Sequence, residues 1–313
     1  MGIILFSTFR ECGMNTVYIT NPMLKPMLSS LNKEWSIIGC WDNRVDKTKV
    51  TALATTVWEQ IDAKYLMQFP NLKIICHLGL GTDNIDNDYL LQNEIILRSQ
   101  PNSGIHDTAE LALTLMLSLA RKIIPNHLYT RTNQWLEGKP RYQGNHLLGK
   151  QLGLVGLGQI GSKIAEFAKV LGMKIAYTAR QDKNNEYIYY NNALDLAYSN
   201  DFLIVCCTGG IATQSLIDAR VLTNLGANGY LINVSRGSVI DQNALIQALK
   251  KGVIAGAGLD VYTEEPEVPL ALRQLENVVL SPHMGSSTHE NLDMMYQLQA
   301  QQLNQYLVEF IRS

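Results

Sequence analysis

The sequence predicts an α/β protein of two units, the second of them a doubly wound parallel sheet. At 313 residues the chain exceeds one average domain. Its apolar segments are short, mostly unbroken runs separated by amphipathic stretches, the pattern of strands covered on both faces by helices. Near the middle of the chain a glycine-rich turn joins one such run directly to a helical stretch.

Hydrophobic residues make up 46% of the chain against 17% charged, enough apolar surface for sizeable cores and too much for a disordered chain. With 26 basic and 28 acidic side chains the net charge is −2, so bulk electrostatics recruit neither nucleic acid nor an anionic membrane. The five cysteines are odd in number and scattered in or beside apolar runs, which disfavours a disulfide framework or a zinc site and fits a reducing compartment. The amino end has no basic leader, and the best candidate for a membrane span, Leu111 to Ala120, is about half a bilayer span. The cytoplasm is the expected location.

In the first unit, Ile3–Phe6, Trp35–Trp41, Ala52–Val57, Leu72–Cys76 and Glu94–Leu97 read as strands, with a helical pattern at Met23–Leu31. Thr108 to Arg121 is apolar nearly all round a helix. It must lie between layers or against another subunit, and a subunit interface is the expectation. A looser polar segment, Thr130 to Gly149, leads to the second unit, where strands are predicted at Gly153–Val155, Lys174–Thr178, Phe202–Cys206, Tyr230–Val234, Ile254–Leu259 and Val278–Leu280. The last helix has capping-box spacing at Ser287 and Glu290. Its apolar stripe, from Leu292 and Met295 to Leu307 and Phe310, is expected to pack back on the first unit.

Gly156-Leu157-Gly158-Gln159-Ile160-Gly161 follows a predicted strand and opens a helix. In that setting Gly156 makes the tight turn, Gly158 lets a pyrophosphate approach, and Gly161 lets the helix pack closely. Exposed amides at the positive helix end then hold the diphosphate. The second unit is therefore read as a Rossmann-type dinucleotide-binding domain. The next strand would ordinarily end in a carboxylate for the adenosine ribose, but Thr178 stands there and Arg180 follows, with no acid before Asp182. That pattern favours a 2′-phosphate, so NADP is the preferred cofactor and NAD the alternative. An ordinary exposed loop arginine is the competing account of Arg180.

Arg236, Glu265 and His283 stand at or just beyond strand ends in the second unit, where the ligand crevice of an open parallel sheet lies. Reduction of a 2-oxo acid needs these residue types. His283 can give a proton to the carbonyl oxygen as hydride reaches the carbon. Glu265 can orient the imidazole and stabilise its charged form, and Arg236 offers a planar fork to the substrate carboxylate. Each also has a bland account: a loop histidine, a solvated glutamate, an arginine paired with Asp241.

The segments Leu148–Gly158, Leu231–Gly237, Gly258–Val261 with Glu265-Pro266, and Ser281–Gly285 resemble the signatures of the D-isomer-specific 2-hydroxyacid dehydrogenase family in order and spacing. Gly79–Asp86 resembles the family's substrate-loop motif, so the similarity runs from about residue 70 to 290. The resemblance implies that Arg236, Glu265 and His283 are the catalytic Arg, Glu and His. It implies that Asp260 holds the nicotinamide carboxamide, that backbone amides of Leu78, Gly79, Leu80 and Gly81 bind the substrate carboxylate beside Arg236 and His283, and that Val234, Ser235, His283 and Gly285 contact the cofactor. The implied architecture is a Rossmann-type domain, residues 101–286, inserted into a smaller flavodoxin-like substrate domain, residues 1–100 and 287–313. Catalysis is implied in the cleft between them, and the assembly implied is a homodimer.

Two departures stand out. Cys206-Cys207-Thr208-Gly209-Gly210 replaces a turn in which many members carry proline, leaving Cys207 or Thr208 to make that cofactor contact, and Thr82 stands where an aromatic is frequent. The missing acid near Thr178 resembles the NADPH-using branch that reduces glyoxylate and hydroxypyruvate, which is the leading expectation. The alternatives are D-3-phosphoglycerate dehydrogenase and a dinucleotide-sensing, corepressor-like binding protein.

Overall fold

The computed structural model describes residues 15–43 and 45–312, so the predicted strand Ile3–Phe6 lies outside the described residues. The chain divides into two compact units, one ending at Ser103 and resuming at His289, the other running from Gly104 to Thr288.

The first unit is a five-stranded parallel sheet in the order β2-β1-β3-β4-β5: β1 Thr16–Ile19, β2 Ser36–Gly39, β3 Val50–Thr56, β4 Ile74–Leu78 and β5 Ile96–Arg98. This is the flavodoxin-like order. Strand alternation splits the core: Val17 and Ile19 face Leu24, Met27, Met295, Leu303 and Leu307, while Tyr18 faces Leu66 and Phe69 on the other side. The carboxyl-terminal helix His289–Arg312 thus packs on this unit, as its stripe predicts. It begins two residues after Ser287, and the Thr288 hydroxyl donates to Asp107. The helical pattern predicted at Met23–Leu31 is a 3-10 helix, Pro22–Ser30, with Pro26 inside it.

The second unit is a seven-stranded parallel sheet in the order β12-β11-β10-β9-β6-β7-β8. Its strands are β6 Gln151–Val155, β7 Lys174–Thr178, β8 Ile188–Tyr190, β9 Phe202–Val205, β10 Tyr230–Asn233, β11 Gly256–Leu259 and β12 Val278–Leu280. Counted from β6, this is the Rossmann order with an added edge strand, and the crossover reverses between β6 and β9.

The helix Ile105–Ala120 buries its sheet-facing side within its own unit. Ala109, Ala112, Leu115, Met116 and Leu119 join the core over β10 and β11, where Gly256 and Gly258 let Leu115 and Leu119 approach the sheet. Its sheet-facing residues need no partner subunit because the unit's own strands supply the apolar surface. Large exposed side chains lie instead on the following segment, at Ile123, Ile124, Leu128, Trp135 and Leu136. No helix among the described residues is long and apolar enough to cross a membrane.

Candidate active site

The carboxyl ends of the second sheet carry the chemistry-bearing residues, and each is presented by a turn with its own fixings. His283 Nδ1 lies 2.5 Å from Glu265 Oε2, with the two side chains 21% and 23% exposed. Nε2 has no hydrogen-bond partner among the described residues, so the pair leaves one ring nitrogen for a ligand. The Tyr262 amide donates to Glu265 Oε1 at 2.9 Å, which occupies the other carboxylate oxygen. Burial pushes the Glu265 carboxyl up, but the His283 hydrogen bond and charge, with the Tyr262 amide and the Arg236 guanidinium, outweigh it and hold the group below its ordinary range. Arg236 lies near enough for its charge to act on that carboxyl.

Two buried polar side chains shape the turns beneath them. Asn233, at the end of β10, accepts from the Ser235 amide and hydroxyl and donates to the Arg236 carbonyl, and Arg236 Nη1 donates to the Ser235 carbonyl. Gly237 is obligatory here, since a Cβ would sit 2.0 Å from the Tyr262 carbonyl carbon. Asp260, just past β11 and 2% exposed, accepts from the Ser281 hydroxyl at 2.7 Å and from the Met284 and Gly285 amides at 2.9 Å. Its own carbonyl takes the His283 amide at 2.8 Å. Those bonds bracket His283, whose φ of 50° is left-handed and unfavourable for a side-chain-bearing residue. Burial pushes the Asp260 carboxyl up, against the pull of Met284, Ser281, His283 and Gly285. Tyr262 closes the network by donating its hydroxyl to the Leu259 and Ser281 carbonyls.

The glycine turn sits between β6 and the helix Gln159–Val170, at the crossover reversal. Gly156 has φ 102° and lies against the Cys207 backbone, while a Cβ on Gly161 would meet the Gly156 carbonyl oxygen at 2.3 Å. Gly158 differs: a Cβ there would meet nothing within 4 Å. The Leu157, Gly158 and Ile160 amides donate to no group among the described residues. Open space beside unpaired amides at a helix start fits a dinucleotide pyrophosphate. Next to it, Thr178 ends β7 buried and Arg180 is exposed. Asp182 is turned away from the role of ribose acceptor, because it accepts from the Tyr177 hydroxyl at 2.6 Å and the Asn184 amide at 2.9 Å. Cys207 and Thr208 follow β9, Val234 and Ser235 follow β10, and Gly285 closes the His283 turn.

Leu78 to Gly81 belong to the first unit, at the carboxyl end of β4. Gly79 has φ 130°, and its carbonyl accepts from the Gln100 amide at 3.0 Å. The supporting residues Asn233 and Ser281 lie inside the motif segments and Tyr262 directly after one, but none carries a role in the sequence reading. Their signal, buried polarity at strand ends, becomes visible only once the strands are placed.

The family described as D-isomer specific 2-hydroxyacid dehydrogenase, NAD binding domain, matches residues 113–285 by its sequence profile. A glyoxylate reductase of Thermococcus litoralis is 39% identical over 267 residues, covering 82% of this chain and 80% of its own. A glyoxylate/hydroxypyruvate reductase of Arabidopsis thaliana is 34% identical over 285 residues, covering 88% of this chain and 91% of its own. Among solved structures, an NADPH-dependent glyoxylate/hydroxypyruvate reductase of Sinorhizobium meliloti, in complex with NADP and malonate, superposes with a TM-score of 0.86 at 30% identity, covering 94% of each chain.

Proposed function

Because the chain belongs to the D-isomer specific 2-hydroxyacid dehydrogenase family, oxidoreductases acting on the CH–OH group of 2-hydroxy acids, we propose that it is an NADPH-preferring reductase of glyoxylate or hydroxypyruvate. The observation that carries the chemistry is the His283–Glu265 pair at 2.5 Å, with Nε2 left for a ligand and Arg236 alongside.

In this mechanism Arg236 grips the substrate carboxylate and polarises its carbonyl. His283 Nε2 delivers a proton to the carbonyl oxygen as negative charge gathers there, and Glu265 holds the ring through Nδ1 and stabilises its positive form. A nicotinamide held by the second unit would supply the hydride. The Gly156–Gly161 turn holds the pyrophosphate, with Cys207, Thr208, Val234, Ser235 and Gly285 lining its approach. Asp260 keeps its assignment to the carboxamide in addition to clamping the His283 turn. The Leu78–Gly81 amides are assigned to the substrate carboxylate.

Thr178, the exposed Arg180 and the sequestered Asp182 support the preference for NADPH, since a guanidinium can pair with a 2′-phosphate where a carboxylate would repel it. The exposed apolar side chains from Ile123 to Leu136 support a homodimer. The described cysteines Cys40, Cys76, Cys206 and Cys207 are free thiols, in keeping with a reducing cytoplasm.

Cofactor oxidation measured with a panel of 2-oxo acids and both cofactors tests this reading. Glyoxylate and hydroxypyruvate should turn over fastest with NADPH. His283→Ala should lose about 10²–10⁴-fold in kcat while keeping cofactor affinity, and Arg180→Ala should raise KM for NADPH but not for NADH. Tight nucleotide binding with no turnover on any oxo acid would show a sensor instead.

A further inference from the structure

His77 is the penultimate residue of β4, directly before the Leu78–Gly81 loop, and it is fully buried. Both ring nitrogens are engaged: Nδ1 lies 2.9 Å from Thr55 Oγ1 on the neighbouring strand β3, and Nε2 lies 3.1 Å from the Gly81 carbonyl oxygen. A carbonyl can only accept, so Nε2 carries the hydrogen and donates. In the neutral ring Nδ1 then accepts from the Thr55 hydroxyl. The two strands that set this spacing are tied together by Gln299, whose amide donates to the Thr55 and Cys76 carbonyls at 3.2 and 2.8 Å.

The consequence for the loop follows from peptide planarity. A trans peptide points its C=O and N–H in opposite directions, so drawing the Gly81 carbonyl toward His77 turns the Thr82 amide away from it. The Gly79 carbonyl, taken by the Gln100 amide, turns the Leu80 amide away in the same manner. Among the described residues, the Leu80, Gly81 and Thr82 amides donate to no carbonyl or side chain. Consecutive unpaired amides of this kind make an anion-binding nest.

We propose that His77 is a positioning residue for the substrate carboxylate: by holding the Gly81 carbonyl it presents the loop amides to the anion without touching the substrate. The inference rests on the reading of this loop as the carboxylate site of a 2-oxo-acid reductase. It locates the cost of losing His77 in substrate binding and not in hydride transfer.

Steady-state kinetics of the intact enzyme test it, with malonate as a carboxylate probe that cannot be reduced. His77→Ala should raise KM for glyoxylate and the inhibition constant of malonate about tenfold, the equivalent of one lost hydrogen bond. Its kcat should stay within about threefold of wild type, and KM for NADPH within about twofold. His77→Gln, which can donate to Gly81 and accept from Thr55, should restore most of the substrate affinity. Should His77→Ala fail to fold, Thr55→Val removes only the hydroxyl that orients the ring and should raise the same two constants about threefold. A merely structural His77 would lower kcat, both affinities and the melting temperature together, with no rescue by Gln, and that result would overturn the proposal. So would unchanged glyoxylate and malonate constants in a variant that folds. A wild-type enzyme that reduces no 2-oxo acid would overturn the functional reading itself, and this inference with it.

Discussion

Glu265 shows how one side chain serves both stability and chemistry. Its folded-state carboxyl lies below the ordinary range, because His283, Tyr262 and Arg236 together outweigh the penalty of burial. A carboxyl lowered on folding contributes stability above its unfolded value, near pH 4.3, and loses that contribution as pH falls through the folded one. Glu265 is therefore ionised at neutrality beside the imidazole. Glu265→Gln keeps the shape but removes the charge that favours the imidazolium. At neutral pH kcat/KM for 2-oxo-acid reduction should then fall by about tenfold or more, and a value equal to wild type would dissolve the coupling. The left-handed His283 costs about 1–2 kcal/mol of backbone strain, which the bonds to Asp260 on both sides of it offset.

Among the elements, the glycine turn separates two roles that a motif alone runs together. Gly161 is packed against backbone, with a Cβ position 2.3 Å from the Gly156 carbonyl oxygen, whereas the Cβ position of Gly158 is open. Gly161→Ala should destabilise the second unit by about 1–3 kcal/mol through overpacking, read by urea unfolding. Gly158→Ala, at an extended φ of −87°, should cost under about 1 kcal/mol as a poorer helix cap, yet raise KM for the cofactor at least about tenfold by filling the pyrophosphate approach. Equal losses of stability in the two variants would contradict this division. The same logic separates β10 and β11 from the turns they feed: the strands end in buried Asn233 and lead into buried Asp260, and those side chains fix Arg236 and His283.

For the whole molecule, each unit has its own cores, so unfolding need not be a single transition. NADPH at about 100 times its Kd adds about 2.7 kcal/mol to whatever binds it. Calorimetry of the intact protein should show the nucleotide raising the transition of the unit from Gly104 to Thr288 and leaving the other unchanged; a common shift of both would refute independent stability. Most of the architecture was legible in the residues. Apolar runs located nearly every strand, and the motifs located Arg236, Glu265, His283 and the glycine turn. Three features were not legible. β1 at Thr16–Ile19 is only four residues long and lies near a more apolar run at Ile3–Phe6. The edge strand β8 has polar surroundings. The helix Ile105–Ala120 reads equally as an interface or as core, because an apolar surface does not name what covers it. Sequence by itself determined which chemistry is available, since residue type and order along the strands are covalent facts. Only the tertiary structure decided which nitrogen of His283 is free, which glycine is open and what His77 holds, because those depend on contacts between segments far apart in the chain.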